Sequence, residues 1–185
     1  RLLALHFGAD IVYSEELIDF KLMRCIRKEN KLLKTVDFID EIENNVVFRT
    51  CEEERGKVVL QMGTADADRA VKVAKLFEKD VAAIDVNMGC PKSFSVAGGM
   101  GVALAANIEN AKKILTALKS AVSIPITCKI RIKKTAEETI PHVKELVATG
   151  ISAIAIHARH KNERPQHTPH PEVIKAVVES GIDVP

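Results

Sequence analysis

The residues best suited to chemistry follow a short apolar run in the middle of the chain. Residues 81–86 are rich in β-branched side chains, which predicts a strand that is buried on both faces. Asp85 and Asn87 interrupt the end of this run, and they share one face because side chains alternate along a strand. We therefore expect a buried strand that carries polar groups to its C-terminal end.

A cysteine comes directly after these polar groups, within the tripeptide Gly89-Cys90-Pro91. Glycine permits a tight turn, and the proline keeps Cys90 out of the helical region of backbone space. Three more glycines, Gly98, Gly99 and Gly101, predict a pliable loop beyond it. The sequence thus presents a thiol on a turn at a strand end. The alternative is a buried structural cysteine, which is the commoner role for this residue type.

Other predicted strands end in polar residues as well. Gln61 ends one predicted strand, Lys129 and Arg131 lie late in a second, and His157 and Arg159 end a third. Aliphatic residues alternate with the last two pairs, so small and polar side chains share one face. A solvated strand end would explain any one of them, but four consecutive strands that end alike point to a shared polar site.

Strands and helices alternate along the sequence, which predicts an α/β fold with a parallel sheet. We expect strands at residues 9–13, 46–50, 58–62, 81–86, 126–132 and 151–157, with another beginning at residue 182. Residues 17–30 are mixed and partly helical, and residues 31–45 match no element. No GxGxxG motif follows the first strand, which argues against a dinucleotide-binding open sheet. Polar strand ends instead favour a (βα)8 TIM barrel, whose active sites lie at the C-terminal mouth.

Capping residues predict where the helices begin. Thr64 is expected to cap the helix after residue 62. Asn107 is expected to cap the next helix, whose apolar stripe is Ala111, Ile114, Leu115 and Leu118. Thr135 and Glu138 have capping-box spacing, but Pro141 fits poorly inside a helix, so we expect that helix to begin near Thr139.

Composition narrows the function classes. A chain of 185 residues with 46% hydrophobic and 28% charged residues is typical of one globular domain. The net charge of +2 is too small to indicate nucleic-acid binding by itself, and no apolar run reaches membrane-spanning length. The four cysteines lack CxxC spacing, which favours a reducing compartment over a zinc or disulfide framework.

Several motifs together resemble the tRNA-dihydrouridine synthases, especially the eukaryotic cytosolic type that acts on the D-loop. The motifs are DVNMGCPK, GGMG, CKIRI, IHAR and ERPQH, and the resemblance extends over residues 1–185. It implies an FMN-binding TIM barrel that uses NADPH to reduce the C5–C6 double bond of a uridine in tRNA. It also implies a cytoplasmic location and no membrane partner.

The resemblance assigns roles to six residues. Cys90 would be the catalytic general acid that protonates C5, since thiols titrate near pH 8.5 and hold a proton at neutral pH. Gln61, Lys129 and His157 match cofactor-binding positions, and Lys129 would stabilise negative charge on the reduced flavin. Asn87 and Arg131 match substrate-binding positions that face the target base.

Further residues receive weaker assignments. Arg159, Lys161 and Arg164 form a basic group that could follow an RNA backbone, although a solvated loop explains them equally well. Residues 93–101 are a hypothetical lid over a uridine that has been flipped out of its stack. The remaining thiols, Cys25, Cys51 and Cys128, are expected to be structural.

A full barrel usually needs about 250 residues, so we expect residues 1–185 to form a single catalytic domain that is a fragment. The resemblance implies that the first barrel strand and the last two are missing. Two alternatives stay open. One is another FMN barrel, related to dihydroorotate dehydrogenase, that acts on a free pyrimidine. The other is a non-catalytic RNA-binding barrel remnant.

Overall fold

A computed structural model describes residues 1–185. It contains nine helices and nine strands, namely α1 (Leu2–His6), β1 (Val12–Tyr13), β2 (Leu17–Ile18), α2 (Asp19–Leu22), β3 (Cys25–Asn30), β4 (Thr35–Asp40), β5 (Asn45–Cys51), α3 (Glu52–Arg55), β6 (Val58–Gly63), α4 (Ala67–Phe77), β7 (Ala83–Met88), α5 (Ser93–Ala97), α6 (Val102–Ala106), α7 (Ile108–Ala121), β8 (Ile126–Arg131), α8 (Ala136–Val147), β9 (Ala153–His157) and α9 (Pro171–Glu179). None of the helices has the length and apolar character needed to cross a membrane.

Six of the strands form one parallel sheet. The strand order is β1-β6-β7-β8-β9. The short strand β2 also pairs with β6: β1 pairs with the beginning of β6 and β2 with its end. The sheet is curled, with helices packed against it, which is consistent with an incomplete barrel. Because all strands run the same way, their C-terminal ends gather at one edge.

Strand β7 is buried on both faces up to Val86, as the sequence predicted, although only one of its faces is entirely apolar. Ile84 and Val86 of β7 and Ile126 of β8 are fully buried. Helix α7 covers them with the predicted stripe of Ala111, Ile114, Leu115 and Leu118. Asn107 caps this helix as expected, since its side chain accepts a hydrogen bond from the Asn110 N–H at 3.2 Å.

Two helix starts differ from the prediction. Asp66, not Thr64, caps α4, because Thr64 is fully buried and donates its hydroxyl to Asp19 at 2.8 Å. Helix α8 begins at Ala136 and contains Pro141. Thr135 caps this helix, and its buried face compensates for the one hydrogen bond that the proline removes.

A second sheet, antiparallel with the order β3-β4-β5, was not predicted. Residues 46–50 belong to it and are not a barrel strand, and most of residues 17–45 is strand and turn with only the short helix α2. Lys34 and Asn44 adopt positive φ angles of 53° and 50° at the two turns. Asparagine tolerates this conformation but lysine rarely does, so the sequence marked the first turn poorly.

An aromatic cluster attaches the second sheet to the first. Phe38 stacks on Phe77 of α4 with ring centroids 3.9 Å apart, and Phe48 packs edge-on against Phe77 at 5.8 Å. The Arg27 guanidinium also donates two hydrogen bonds to buried Asp80, at 2.7 and 2.9 Å. The two sheets therefore share one hydrophobic core.

The last residues do not form the strand that was expected to begin at residue 182. No strand is assigned after β9, but the Ile154 N–H donates to the Pro185 carbonyl at 2.9 Å. The contact lies on the free edge of β9, where a further strand would pair.

We expect Phe77→Ala to destabilise the chain by about 3–5 kcal/mol, because it empties the centre of the aromatic cluster. Urea unfolding monitored by circular dichroism measures the change. Phe7→Ala is the matched control: Phe7 is 80% exposed, so its loss should cost less than about 0.5 kcal/mol. Equal losses for the two variants would show that the cluster does not join the sheets.

Candidate active site

All six predicted site residues line one cavity at the C-terminal edge of the parallel sheet. Its volume is about 250 Å³, and its walls are Gln61, Asn87, Gly89, Cys90, Pro91, Lys129, Arg131 and His157. Strand register explains the grouping, because Gln61 pairs with Asp85, Asn87 with Lys129, and Arg131 with His157 on neighbouring strands. The fold therefore brings together the six residues that were selected from the sequence. The roles of the six residues stay predictions.

The Asn87 side chain shapes the turn that carries Cys90. Its Oδ1 accepts hydrogen bonds from the N–H groups of Gly89 at 3.0 Å and Cys90 at 2.9 Å. These N–H groups can only donate, so the amide oxygen must face them and the amide nitrogen must face away. That nitrogen donates to Gln61 Oε1 at 3.0 Å. Asn87 is thus committed to the turn and keeps one N–H for another partner.

A buried carboxyl anchors this network from below. Asp85 Oδ2 accepts from Gln61 Nε2 at 2.9 Å, and Oδ1 accepts from the Thr127 hydroxyl at 2.7 Å. Burial raises the pKa of Asp85, while the hydrogen bonds from Thr127 and Gln61 and the charge of Lys129 oppose the rise. The sequence showed Asp85 as a charge in an apolar run but gave no sign of its partners.

Gly101 approaches the Cys90 turn closely, whereas Gly89 does not need the conformational freedom of glycine. Gly101 has a φ of 58°, and a Cβ atom there would lie 2.3 Å from the Cys90 carbonyl oxygen and 3.0 Å from Cys90 Cβ. Gly89 has no positive φ, and an added Cβ would meet nothing closer than 3.5 Å. The predicted pliable loop is in fact helix α5 followed by a turn, and the Val102 N–H donates to the Cys90 carbonyl at 3.0 Å.

The cavity carries a concentrated positive charge. Lys129 is half-buried, and its ammonium has no hydrogen-bond or ion-pair partner in the chain. Burial lowers the pKa of this ammonium; the charge of Asp85 opposes the decrease and the charge of Arg131 adds to it. Burial also lowers the pKa of His157, assisted by the charges of Arg131, Lys129 and Arg159. A neutral imidazole and an unpaired ammonium thus face the same space, which suits a ligand with electron-rich oxygen or nitrogen atoms.

Arg131 mainly joins loops. Its Nε donates to the Gly89 carbonyl at 2.9 Å, and one terminal nitrogen donates to the carbonyls of His160 and Glu163 at 3.0 and 3.3 Å. The other terminal nitrogen, Nη2, has no partner in the chain. Arg131 therefore ties the Cys90 turn to the loop after β9 and keeps one donor group for a ligand.

The other cysteines lie outside the cavity and are buried, which agrees with structural roles. Burial raises the pKa of Cys25 to about 11, with the charge of Asp40 adding to the effect. Burial likewise raises the pKa of Cys51 and of Cys128. In the folded chain, Cys90 is therefore the most accessible thiol.

Glu16 is a site residue that the sequence analysis did not identify. It follows β1 and lies beside Cys90, and its buried Oε1 has no hydrogen-bond partner. Burial raises the pKa of this carboxyl, while the Cys90 thiol and the Lys92 ammonium oppose the rise. Glu15 and Glu16 are adjacent acidic residues in the sequence, but only the fold brings Glu16 beside Cys90.

The predicted basic group beyond β9 is partly committed to its own loop. Arg159 donates to the carbonyls of His167 and Pro165 at 2.8 and 3.2 Å, and Arg164 donates to the carbonyls of Lys161 and Glu163 at 3.1 and 2.9 Å. Lys161 is exposed and makes no such bond. RNA binding by this group stays a prediction.

A thiol on a strand-end turn and a partnerless ammonium line one cavity at the edge of a parallel sheet, which defines an α/β protein with an enzyme-like site. Comparison with known sequences agrees and is more specific. The family model described as dihydrouridine synthase matches residues 10–184, and the chain belongs to this family.

Two similar curated proteins carry the name tRNA-dihydrouridine(20) synthase [NAD(P)+]. The protein of Saccharomyces cerevisiae is 40% identical over 97% of this chain and 49% of its own length. The protein of Schizosaccharomyces pombe is 40% identical over 86% of this chain and 35% of its own length. A tRNA-dihydrouridine(16/17) synthase of S. pombe is 30% identical over 91% of the chain. The chain thus spans about half, or less, of the length of these relatives.

We expect Gly101→Ala to displace the Cys90 turn, since the new methyl group would overlap the Cys90 carbonyl. Gly99→Ala is the matched control, because Gly99 also has a positive φ of 71° but its nearest atom, Ala65 Cβ, is 3.3 Å away. Backbone strain should lower the free energy of unfolding of both variants by about 1–2 kcal/mol, and that of Gly101→Ala by more. Urea unfolding is the first readout.

The modification rate of Cys90 by a thiol reagent in the folded chain is the second readout for these variants. Only Gly101→Ala should change it. If Gly99→Ala altered the rate equally, the loop as a whole and not the close approach would position the thiol.

The pKa of His157 should lie below its ordinary value of about 6.5, and Lys129→Met should raise it by removing a neighbouring positive charge. Imidazole nitrogen shifts followed by NMR over a pH series measure it. Lys161→Met is the control, because Lys161 does not contribute to the shift of His157. An equal rise in both variants would contradict a direct effect of Lys129.

Proposed function

We propose that this chain forms part of the catalytic core of an enzyme that reduces a uridine in the tRNA D-loop to 5,6-dihydrouridine, with FMN as cofactor and NADPH as reductant. The observation that carries the proposal is the shared cavity of Cys90, Asn87, Gln61, Lys129, Arg131 and His157. Family membership and the names of the yeast relatives support it. Those names also favour uridine 20 as the target.

The residues present fit an isoalloxazine ring. Such a ring offers carbonyl oxygens and nitrogens along one edge, and the cavity offers the partnerless Lys129 ammonium, the free N–H of Gln61 and the His157 imidazole as donors. FMN bound by these donors would supply the hydride chemistry, with NADPH as the reductant and C6 of the uracil as the acceptor. Lys129 would hold the edge of the ring on which negative charge develops.

The chain's own residues would orient the base and supply the proton. Asn87 has one N–H left for a uracil carbonyl, and Arg131 has its free Nη2 for a carbonyl or a phosphate. Cys90 would donate a proton to C5, as the balance of the reaction requires after hydride addition at C6. Glu16 lies where a proton could return to the thiol.

Family membership argues against a reductase of free pyrimidines, the first alternative. The second alternative is an RNA-binding remnant without a cofactor. Flavin binding and dihydrouridine formation distinguish it from the proposed enzyme. The cytoplasmic location, the single-domain fragment and the three missing barrel strands stay predictions from the sequence.

Cys90→Ala should slow dihydrouridine formation by about 10²–10⁴-fold, the usual contribution of a general acid, without weakening FMN binding. The assay supplies unmodified tRNA, FMN and NADPH to the chain, or to any longer protein that contains it. It measures dihydrouridine in the tRNA and the absorbance of bound flavin. Cys128→Ala is the control, because that thiol is buried in β8 outside the cavity and should keep most of the activity.

Lys129→Met should weaken FMN binding in the same assay. A Cys90→Ala protein that works at the wild-type rate would remove Cys90 from the chemistry. RNA binding without any flavin binding, in the longer protein as well, would favour the non-catalytic remnant.

A further inference from the structure

The loop after β9 brings together three side chains that the proposed reaction does not use. His160, Glu163 and His170 each offer one ligand atom, and these atoms all lie within 4.8 Å of one another. Two imidazoles and one carboxylate form the kind of ligand set that binds zinc in enzymes. The loop is closed at its base, where the His170 N–H donates to the Ala158 carbonyl at 2.7 Å.

The three side chains already lie close to one another. Glu163 Oε1 lies 2.9 Å from His170 Nε2, and the His160 and His170 rings are 4.5 Å apart. Ligand atoms around a tetrahedral zinc ion lie about 3.4 Å apart, given bonds of about 2.0–2.2 Å. Displacing the ligand atoms by about an ångström, through side-chain rotation, would therefore convert this cluster into a coordination site.

Outer contacts hold two of these side chains in the required orientation. The His160 backbone N–H donates to Glu163 Oε2 at 2.6 Å, which directs Oε1 toward His170. The other nitrogen of His170, Nδ1, lies 3.5 Å from Glu172 Oε1. Metal-bound histidines commonly give their second N–H to a carboxylate, and bound carboxylates are themselves hydrogen-bonded.

A buried polar atom is left without a partner in the same cluster. Nδ1 of His160 is inaccessible to solvent and makes no hydrogen bond within the chain. Buried polar atoms are nearly always satisfied, and a metal ion bound by His160 is one way to satisfy its imidazole.

We propose that His160, Glu163 and His170 bind a divalent transition metal of the zinc class, with solvent completing the coordination. Imidazole favours zinc and its neighbours in the first transition series, whereas calcium and magnesium prefer oxygen ligands. The loop also carries the positive charges of Arg159, Lys161 and Arg164, which repel a cation. Coordination by the two imidazoles and the carboxylate, and not long-range charge attraction, would therefore hold the metal ion. This site goes beyond the proposed reductase reaction and does not depend on it.

Metal binding here would fix the geometry of the catalytic cavity indirectly. The carbonyl oxygens of His160 and Glu163 accept the hydrogen bonds of Arg131, whose Nε holds the Gly89 carbonyl of the Cys90 turn. A metal that clamps the loop would therefore restrict Arg131. The role is structural, because the cluster is not part of the cavity that contains Cys90.

Titration of the chain with Zn²⁺ in a calorimeter tests the site, and we expect one ion per chain. Glu163→Gln and His170→Ala should each weaken binding at least about tenfold, the least that losing even an outer-shell partner costs. His167→Ala is the matched control: this histidine lies in the same loop but outside the cluster, so its loss should leave the affinity unchanged.

A second measurement reports the ligands themselves. On addition of Zn²⁺, the imidazole nitrogen shifts of His160 and His170 should move in NMR spectra while those of His167 stay in place. With Co²⁺, the absorption spectrum should show no thiolate charge-transfer band, since no cysteine belongs to the site. Hydrogen exchange in residues 158–170 should slow when the metal is bound.

Three results would overturn the proposal. Zinc affinity that is equal in the wild type, Glu163→Gln and His170→Ala would place the ion elsewhere. A thiolate band would show that a cysteine, which this cluster lacks, binds the ion. No binding by the wild-type chain would leave His170 and Glu163 as an ion pair that closes the loop without metal.

Discussion

The Asn87 carboxamide is the contact on which the geometry of the cavity depends. Its oxygen has to face the two N–H groups of the Cys90 turn, so its nitrogen has to face Gln61. The Gln61 amide is thereby oriented too, and its nitrogen can only point to an acceptor, which Asp85 provides. Each amide has one orientation that satisfies all its partners. The buried Asp85 carboxyl therefore fixes the position of the Cys90 turn through the two intervening amide side chains.

The same network sets the charge of the site. Asp85 is the fully buried acid beneath a surface that carries Lys129, Arg131 and His157, and its hydrogen bonds with Thr127 and Gln61 offset part of its desolvation. The positive groups stay without acidic partners of their own at the cavity wall. A site of this kind is costly to leave empty, and it gains most from a ligand that spreads negative charge over several atoms.

The cavity could be predicted from the sequence because it is built from strand ends. Side-chain alternation placed Lys129 and His157 on the polar faces of their strands, and parallel strands bring their C-terminal ends to one edge. The helix stripe of α7 and the Asn107 cap were local patterns and were confirmed. These features depend on residues that are close in sequence, where period and capping chemistry act directly.

The features that the sequence did not reveal depend on distant contacts. Thr64 has the chemistry of a cap, but burial beside Asp19 uses its hydroxyl, and Asp66 replaces it. The antiparallel sheet is held by Phe38 against Phe77 and by Arg27 against Asp80, contacts that span 39 and 53 residues in sequence, so no local pattern signals them. Gly101 and Glu16 likewise gain meaning only when the fold brings them to Cys90.

The loop after β9 shows how such distant contacts extend a site beyond its strands. Arg131 ends a strand and was predicted to face a ligand, yet most of its donors bind backbone carbonyls on two different loops. A guanidinium has five donors in a rigid plane, so it can join the Cys90 turn to residues 160–163 and still present one nitrogen to the cavity. Arg131 therefore couples the order of that loop to the order of the turn that carries the thiol.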